Sequence, residues 1–271
     1  MKNQMQAPVI ERSVLTIAGS DSCGGSGIQA DMNTFANFDV YGASVITAVT
    51  ARNTMGTQAV EPVSDRMIVS QIESVLEDLP ICAIKTGMLP SVPGIAVLGE
   101  ILGQLTPRIP MVVDPVVIEP KGRELTGETM LEAVRNHLFP LATVITPNRE
   151  EAQVLTGKTI NNMKDMEAAA RELLEYGSNA VLLKGGQIQA GEITDILLTR
   201  NDLFSFSHSA FEGRFHGTGC VLSSAVAAGL ALEKALPDAV KDAVEYVQGC
   251  LRNSRAPVKG HLGLLGHKLR G

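Results

Sequence analysis

Short apolar runs rich in β-branched residues alternate with helical patterns along almost the whole chain, and this alternation limits the folds open to it. Helical spacing predicts helices such as RMIVSQIESVLED and MEAAARELLEYG. The runs that predict strands are VLTIAG, SVITAVTA, AIKTGM, MVVDPVVI, ATVITPN and AVLLKGG. Apolar strands separated by helices indicate a mostly parallel sheet with helices on both faces. We therefore expect a doubly wound α/β fold.

The pattern changes after the last of these strands. Residues 193–215 contain short alternating runs without a helical pattern, which predicts a small antiparallel edge to the sheet. A long apolar helix, VLSSAVAAGLALEKAL, follows. Because no linker, repeat or low-complexity segment divides the chain, we expect residues 1–271 to form a single domain.

The charge of the chain indicates a small-molecule partner. Its 271 residues carry a formal net charge of −6, with acidic and basic residues interleaved. Nucleic-acid binding needs a concentrated positive surface, and no basic run supplies one. No apolar run approaches the roughly 20 residues that cross a bilayer. The four cysteines are widely spaced, as is typical of reduced thiols. We expect a cytoplasmic protein that binds neither nucleic acid nor membranes.

The stretch GSDSCGGSGIQAD, from Gly19 to Asp31, is close to a phosphate-binding P-loop. Gly19 and Gly24 have the required spacing, but Gly25 stands where the P-loop has its lysine. Because that lysine acts directly on the phosphates, the sequence disfavours a P-loop NTPase. The glycines also lack the G-x-G-x-x-G spacing of a dinucleotide site. Two interpretations remain, a plain strand-to-helix turn or a turn whose backbone approaches a ligand.

A second glycine-rich stretch, HGTGC, precedes the long apolar helix. Gly217 and Gly219 flank Thr218, and the free N–H groups and dipole of a helix start favour a bound anion. Cys220 falls in the first turn, where the same positive end lowers the pKa of a thiol. A thiolate there is a candidate general base for a hydroxyl that attacks phosphorus. A small buried cysteine at the start of a core helix is the alternative, and these residues alone leave it open.

Three charged side chains follow predicted strands, at the edge where doubly wound sheets bind ligands. Asp114 and Glu151 together suit Mg²⁺, which takes few protein carboxylates and keeps waters and phosphates. Either acid can instead serve as a helix cap or first-turn charge. Lys184, before Gly185 and Gly186, can pair with a polyphosphate or simply reach solvent. Together with the two glycine-rich stretches, these residues form a kinase-like set.

Six blocks of the sequence resemble a known kinase family. LTIAGSDSCGGSGIQAD, AIKTGMLP, VVDPVV, TPNREEA, LLKGG and HGTGCVLSSAVAA follow the order of the hydroxymethylpyrimidine/phosphomethylpyrimidine kinases of thiamine biosynthesis. These kinases belong to the ribokinase-like superfamily and are related to bacterial pyridoxal kinases. The resemblance runs from about Val14 to about Leu265. It implies ATP, Mg²⁺ and two successive phosphorylations, first of the hydroxymethyl group of 4-amino-5-hydroxymethyl-2-methylpyrimidine and then of its monophosphate. It also leads us to expect a homodimer.

The resemblance implies roles for individual residues. The opening glycine turn is expected to form the heterocycle pocket, with substrate contacts from Gly19, Asp31, Met88 and Val116. On the phosphate side, Cys220 is the expected base.

The amides from Gly217 through Thr218 and Gly219 to Cys220 are expected to form the anion hole for the transferring phosphoryl group. The implied cofactor contacts are those of Asn148, Lys184, Gly217 and Gly219 to ATP and of Asp114 and Glu151 to Mg²⁺ and its waters.

One departure from the family pattern bears on the substrate. The family commonly reads AQNTxG where this chain reads ARNTMG, which puts Arg52 at a glutamine position of the heterocycle pocket. Arginine donates hydrogen bonds but cannot accept one from an exocyclic amine. It suits a phenolate, carboxylate or phosphate, so a pyridoxal or pyridoxine kinase is an alternative. Arg52 can also turn to solvent and leave the pocket unchanged.

A second departure is the segment EPKGRE, which moves the family's lysine by one place to Lys121 in a segment that can act as a flap. A third functional alternative is a protein that binds the heterocycle on a kinase fold without transferring phosphate. Cys220, Asp114, Glu151 and Lys184 argue against it, because binding alone does not require all four.

Overall fold

The computed structural model describes residues 10–117, 127–189, 191–257 and 259–267. In these residues, nine strands form one sheet and two form a smaller one. The strands are β1 (Ser13–Asp21), β2 (Tyr41–Asn53), β3 (Gly56–Pro62), β4 (Ile81–Thr86), β5 (Met111–Val113), β6 (Val144–Ile145), β7 (Ala180–Gln189), β8 (Glu192–Thr199), β9 (Leu203–Ser209), β10 (Arg214–His216) and β11 (Leu262–Leu264). The helices are α1 (Gly27–Asn37), α2 (Asp65–Asp78), α3 (Val92–Gly103), α4 (Glu128–His137), α5 (Arg149–Thr156), α6 (Met163–Leu174), α7 (Thr218–Ala231) and α8 (Leu236–Arg252).

The main sheet has the strand order β3-β2-β1-β4-β5-β6-β7-β8-β9. Neighbouring strands from β2 to β7 are parallel. The pairs β2–β3, β7–β8 and β8–β9 are antiparallel and lie at the two edges. The chain runs outward from β1 on one side and returns at β4 on the other. The topological switch point therefore lies between β1 and β4, where doubly wound sheets bind ligands.

The apolar strands are buried on both faces. Successive side chains of a strand point to opposite faces, and the two valines of β5 show the consequence. Val113 packs in a core with residues of α2 to α6, whereas Val112 packs in a second core with residues of α1, α7 and α8. Both valines are fully buried. Helices on both faces thus explain why the strand sequences are apolar throughout.

Helix α2 shows how the sequence encodes its local structure. Ile68 and Ile72, one turn apart, are both buried against the core. The side chain of Ser64 accepts a hydrogen bond from Met67 N and caps the start of the helix. The helix is amphipathic and docks on the sheet through the face that its spacing predicts.

The predicted doubly wound, mostly parallel fold is confirmed, and so is the antiparallel edge near residues 193–215. Within that range, β8 and β9 join the main sheet, but β10 leaves it and pairs in parallel with β11. The sequence did not predict β3, because this edge strand is mostly exposed and lacks an apolar run. Helix α8 was also missed.

That residues 1–271 form a single domain stays a prediction. Lys121 and the flap expected around it lie outside the described residues. Within the described ranges, no helix has both the length and the apolar character needed to cross a membrane.

Candidate active site

The parallel strands of the main sheet end at the same edge, and a cavity of about 490 Å³ lies there. All but one of the predicted site residues line it. They are Gly19, Arg52, Met88, Asp114, Val116, Asn148, Glu151, Lys184, Gly217, Thr218, Gly219 and Cys220. The exception is Asp31, which is not among the lining residues.

The opening glycine turn forms one wall of this cavity. It leads from the end of β1 into α1, and Gly27 has a φ of +58°. A Cβ on Gly27 would lie 2.2 Å from the carbonyl oxygen of Gly19, so a side chain there would collide with the backbone. A Cβ on Gly19 would lie 2.5 Å from Met88 Cε. The tip of Met88 therefore occupies the side of Gly19 that a Cβ would need, and the Gly19 backbone and Met88 together form a wall against which a flat ring can lie.

The side chain of Asp21 organises the turn. Its Oδ1 accepts from Cys23 N, and its Oδ2 accepts from both the N and the Oγ of Ser26, each at 2.9 Å. His216 Nε2 lies 2.7 Å from the same Oδ2. Burial opposes ionisation, but the hydrogen bonds from His216 and Cys23 outweigh it and lower the pKa of Asp21 to about 2. Asp21 is therefore a charged anchor inside the turn.

Arg52 is the second-last residue of β2 and lines the cavity. Its backbone is tied to the turn, because its N–H donates to Ser22 Oγ at 2.8 Å and its carbonyl accepts from the same hydroxyl at 2.9 Å. The side chain is half-buried. Its Nε is buried without a hydrogen-bond partner within the described part of the chain. A buried guanidinium donor without a partner favours a ligand that offers an acceptor.

The phosphate end of the cavity is the start of α7. Gly217 caps the helix at a φ of +84°, and the first helical hydrogen bond runs from Val221 N to Gly217 O at 2.9 Å. The N–H groups of Thr218, Gly219 and Cys220 therefore precede the helical hydrogen-bond ladder. With the helix dipole, they make this end of the cavity suitable for an anion.

Cys220 lies in the first turn of α7, as predicted, but its thiol is not acidic. Burial raises the pKa of Cys220 to about 11. The ammonium of Lys85 and a hydrogen bond from Gly27 N lower it, whereas the carboxylates of Asp31 and Asp114 raise it. The expectation of a lowered pKa is wrong, because the effect of burial outweighs that of the positive groups around the thiol.

Asp114 and Lys184 form an ion pair inside the cavity. Lys184 Nζ lies 3.1 Å from Asp114 Oδ1, which also accepts from Thr146 Oγ1 at 2.9 Å. Burial opposes ionisation of Asp114, but Lys184 and then Lys85 hold the pKa of this carboxyl below its usual range. Burial alone would lower the pKa of Lys184, and Asp114 raises it. Both groups are therefore charged. Lys184 does not point freely to solvent.

Glu151 has both of the roles considered for it. With Asn148 it forms a capping box at the start of α5: Asn148 Oδ1 accepts from Glu151 N, and Glu151 Oε2 accepts from Asn148 N, each at 2.8 Å. It also lines the cavity with Asp114. The pKa of Glu151 is raised to about 8, mainly by burial and also by the nearby charge of Asp114, although the ammonium of Lys184 lowers it. Negative charge at this position therefore lacks full compensation.

The donors at this position fit Mg²⁺ held largely through its waters. Asp114 and Glu151 supply hard carboxylate oxygens, and Glu151 Oε1 has no protein hydrogen bond among the described residues. A cation there would stabilise the ionised form of Glu151, which burial disfavours. No group of three or more His, Cys, Asp or Glu side chains in the described ranges can hold a metal unaided.

Asp31 is placed differently from the expectation. Its carboxylate is fully buried and accepts from Thr16 Oγ1 at 2.6 Å and Ser224 Oγ at 2.7 Å. Lys85 Nζ lies 2.9 Å from it. All three partners are protein groups, so the structure does not bring this carboxylate to the cavity. Asp31 instead joins α1 to β1, β4 and α7 beneath the cavity.

Three residues around the cavity were missed by the sequence analysis, namely Asp21, Lys85 and His216. A lysine in the apolar run AIKTGM was a signal, because buried lysines require a partner. Asp21 begins a glycine-rich turn, a position at which aspartate often bonds the following backbone. Nothing in the sequence linked His216 to Asp21, since the two are 195 residues apart.

A second cavity of about 340 Å³ adjoins the first and shares Asn148, Lys184, Phe215, Thr218 and Gly219 with it. Its apolar lining is Ile193, Phe211, Phe215, Leu222, Val244, Val247 and Leu251. This combination suits an apolar ring with a polyphosphate that reaches the start of α7.

One polar chain runs along the wall of the second cavity. Gln248 Nε2 lies 3.0 Å from His208 Nδ1, and His208 Nε2 lies 3.2 Å from Asp195 Oδ2. Asp195 Oδ1 accepts from Gly185 N at 2.7 Å. Asp195 thereby holds the turn that follows Lys184. This network therefore helps to orient the ammonium of Lys184 between the two cavities.

Comparison with known proteins identifies the family. Residues 21–264 match the family model described as phosphomethylpyrimidine kinase. A hydroxymethylpyrimidine/phosphomethylpyrimidine kinase of Streptomyces coelicolor is 40% identical over 261 residues, which is 96% of each chain.

Solved structures give the same result. The crystal structure of a phosphomethylpyrimidine kinase from Clostridium difficile 630 has a TM-score of 0.78 and 42% identity, and the match covers 88% of this chain and 99% of that one. A pyridoxal kinase from Staphylococcus aureus, in complex with ADP, has a TM-score of 0.87 and 32% identity, with 95% and 94% covered. These likenesses confirm the ribokinase-like fold and the predicted kinase class. The chain belongs to the phosphomethylpyrimidine kinase family.

Proposed function

We propose that the protein transfers the γ-phosphoryl group of ATP to the hydroxymethyl group of 4-amino-5-hydroxymethyl-2-methylpyrimidine, and then to the monophosphate so formed. One observation carries this proposal. Within a single cavity, the amides at the start of α7, Cys220 and Lys184 accompany the wall formed by the Gly19 backbone and Met88. A place for a flat ring and a place for a phosphoryl group are therefore adjacent.

The nucleotide is assigned to the second cavity. Its apolar lining suits the base, and the residues that it shares with the first cavity suit the phosphates. The γ-phosphate would then lie between Lys184 and the start of α7, facing the ring alcohol. The relative from Staphylococcus aureus was solved with ADP, which supports nucleotide use in this fold.

In the transfer step, the hydroxymethyl oxygen forms a bond to the γ-phosphorus while the bond between that phosphorus and the leaving ADP oxygen breaks. The proton of the hydroxyl passes to the thiolate of Cys220. Charge on the transferring oxygens is stabilised by the amides of α7 and by Lys184. Asp114 and Glu151 would hold Mg²⁺ through its waters, and the ion would supply positive charge for the phosphates.

Arg52 favours a second candidate, phosphorylation of pyridoxal or pyridoxine. Its buried Nε–H has no protein partner in the described ranges, and Arg52 lines the cavity near the ring wall. The phenolate oxygen of a pyridoxal ring is an acceptor for such a donor, whereas an exocyclic amine is not.

Steady-state kinetics with each heterocycle test the proposal. We expect the highest kcat/KM for the aminopyrimidine alcohol, with ADP release that requires Mg²⁺. Much higher kcat/KM for pyridoxal would replace the first candidate with the second. Phosphorylation of the pyrimidine monophosphate is measured separately, with ³¹P NMR of the product distinguishing a diphosphate from a monophosphate.

We also propose that the chain forms a homodimer through the β2–β3 edge. Tyr41, Val49 and Val60 are large apolar side chains exposed on these two strands, and an exposed edge strand invites pairing. Light scattering on the purified protein measures the mass directly. A monomer at micromolar concentration would contradict the proposal.

A further inference from the structure

The opening glycine turn and the segment before α7 are in backbone contact. Gly217 has a φ of +84°, and a Cβ on it would lie 1.8 Å from the carbonyl oxygen of Gly25. No side chain therefore fits at the crossing point of these two segments. The wall assigned to the ring and the loop assigned to the phosphoryl group thus form one unit.

A buried pair of side chains holds this crossing together. His216 Nε2 lies 2.7 Å from Asp21 Oδ2, and the two side chains are 3% and 4% exposed. Asp21 is bonded to the turn through Cys23 N and Ser26. His216 immediately precedes Gly217, whose carbonyl starts the hydrogen bonds of α7. The pair therefore links the internal framework of the turn to the first residue of the anion loop.

The position of His216 is itself constrained. Its backbone pairs with Leu264 in the parallel β10–β11 ladder. Its ring lies against the turn, since a Cβ on Gly25 would be 2.5 Å from His216 Cδ2. The imidazole is thus enclosed on one side by the turn and by the carboxylate of Asp21.

The turn also reaches the thiol. Gly27, at the end of the turn, lines the cavity together with Cys220, and its backbone N–H lowers the pKa of that thiol. Displacement of the turn relative to α7 would therefore change the surroundings of Cys220 and of the amides beside it.

We propose that Asp21 and His216 are positioning residues, which keep the loop Gly217–Cys220 in register with the ring wall so that the alcohol meets the phosphoryl group in line. This role rests on the proposed function. It predicts an effect on the transfer step more than on ring affinity, because both oxygens of Asp21 are already bonded to protein groups. A shift of about 1 Å in such a constellation can lower a rate by roughly 10²-fold.

The test uses Asp21→Asn, His216→Asn and the double variant of the full chain. We expect each single variant to lower kcat by about 10- to 100-fold while the Kd of the ring, measured by calorimetry without ATP, changes by less than about threefold. The double variant should be no slower than the slower single variant, because residues that act as one unit are not additive. Arg12→Gln is the matched control, since it breaks another long-range ion pair, to Glu233, outside the cavity. It should keep wild-type kcat.

A second readout does not depend on the substrate. Hydrogen exchange of the peptide that contains Gly217–Cys220 should be at least about tenfold faster in the Asp21 and His216 variants, since local openings govern exchange, and unchanged in Arg12→Gln. If wild-type protein phosphorylates no heterocycle, the proposed function fails. The exchange measurement still tests whether the Asp21–His216 pair holds the loop Gly217–Cys220 in place. Unchanged exchange together with unchanged kcat would overturn the proposed positioning role of Asp21 and His216. Kinetic losses that multiply in the double variant would also overturn it. If Asp21→Asn does not fold, His216→Gln is measured in the same two ways.

Discussion

The ammonium of Lys85 lies 2.9 Å from the carboxylate of Asp31, and neither side chain has any exposed surface. Burial alone would lower the pKa of Lys85, but Asp31 raises it, so this lysine stays charged. Lys85 also lines the cavity. The pair is neutral as a whole and holds the ammonium of Lys85 in place beside the cavity. Removal of Asp31 should therefore affect stability before it affects substrate contacts.

Asp31→Asn should be strongly destabilising. The variant preserves size but leaves the ammonium of Lys85 buried without its counter-charge, which typically costs about 3–5 kcal/mol. Urea unfolding measures the change. The matched control is Arg171→Gln, which breaks the exposed pair between Arg171 and Glu167 in α6 and should cost less than about 0.5 kcal/mol. A loss below about 1 kcal/mol for Asp31→Asn would contradict the importance of the buried pair.

Cys220→Ala tests the proposed base. We expect kcat to fall by about 10²–10⁴ while the Kd of the heterocycle changes little, because the thiol acts on the proton and not on ring binding. Rapid-quench measurement of the transfer step, with calorimetry for ring binding, separates the two effects. Turnover close to that of the wild type would remove the thiol from the mechanism.

The pH dependence follows from the raised pKa of Cys220. The thiolate is the active form of the base, and with a pKa of about 11 its population rises with pH. kcat/KM, which reports on the free enzyme, should therefore rise by about tenfold per pH unit above the range in which Glu151, with a pKa of about 8, becomes ionised. The profile of Cys220→Ala should lack this slope. A wild-type plateau that begins below pH 8 would show that the thiol is more acidic than its burial implies.

Glu151→Gln tests the assignment of the metal. Loss of one carboxylate should raise the Mg²⁺ concentration at half-maximal velocity by about tenfold or more, because Mg²⁺ prefers charged oxygen ligands. The amide can still accept from Asn148 N, so the capping box is largely preserved. Titration of activity with Mg²⁺ at saturating ATP measures the shift. An unchanged requirement would place the ion away from Glu151.

Arg52→Gln tests ring selectivity. A glutamine amide can accept from an exocyclic amine as well as donate, so the ratio of kcat/KM for the aminopyrimidine to that for pyridoxal should rise, by about tenfold if one hydrogen bond is gained. Arg52→Lys, which retains charge without the planar fork, is the companion variant. The same ratio in all three proteins would mean that Arg52 does not contact the ring.

Several site residues could be predicted from the sequence for a simple physical reason. Asp114 and Lys184 were found because they follow strands, and the carboxyl ends of parallel strands meet at one edge. The amides around Gly219 were found because a helix start leaves its N–H groups without partners. In these cases a local feature determines where the group lies once the sheet forms.

What the sequence by itself determined was therefore the doubly wound fold and the edge at which ligands bind. Only the tertiary structure decided which side chains lose their solvent and which partners they gain. It buried Asp31 against Lys85, 54 residues away, and it raised the pKa of Cys220 where local reasoning lowered it. It also joined Asp21 to His216 across 195 residues. Desolvation and long-range pairing depend on how distant segments pack, and a local pattern of residues does not determine that packing.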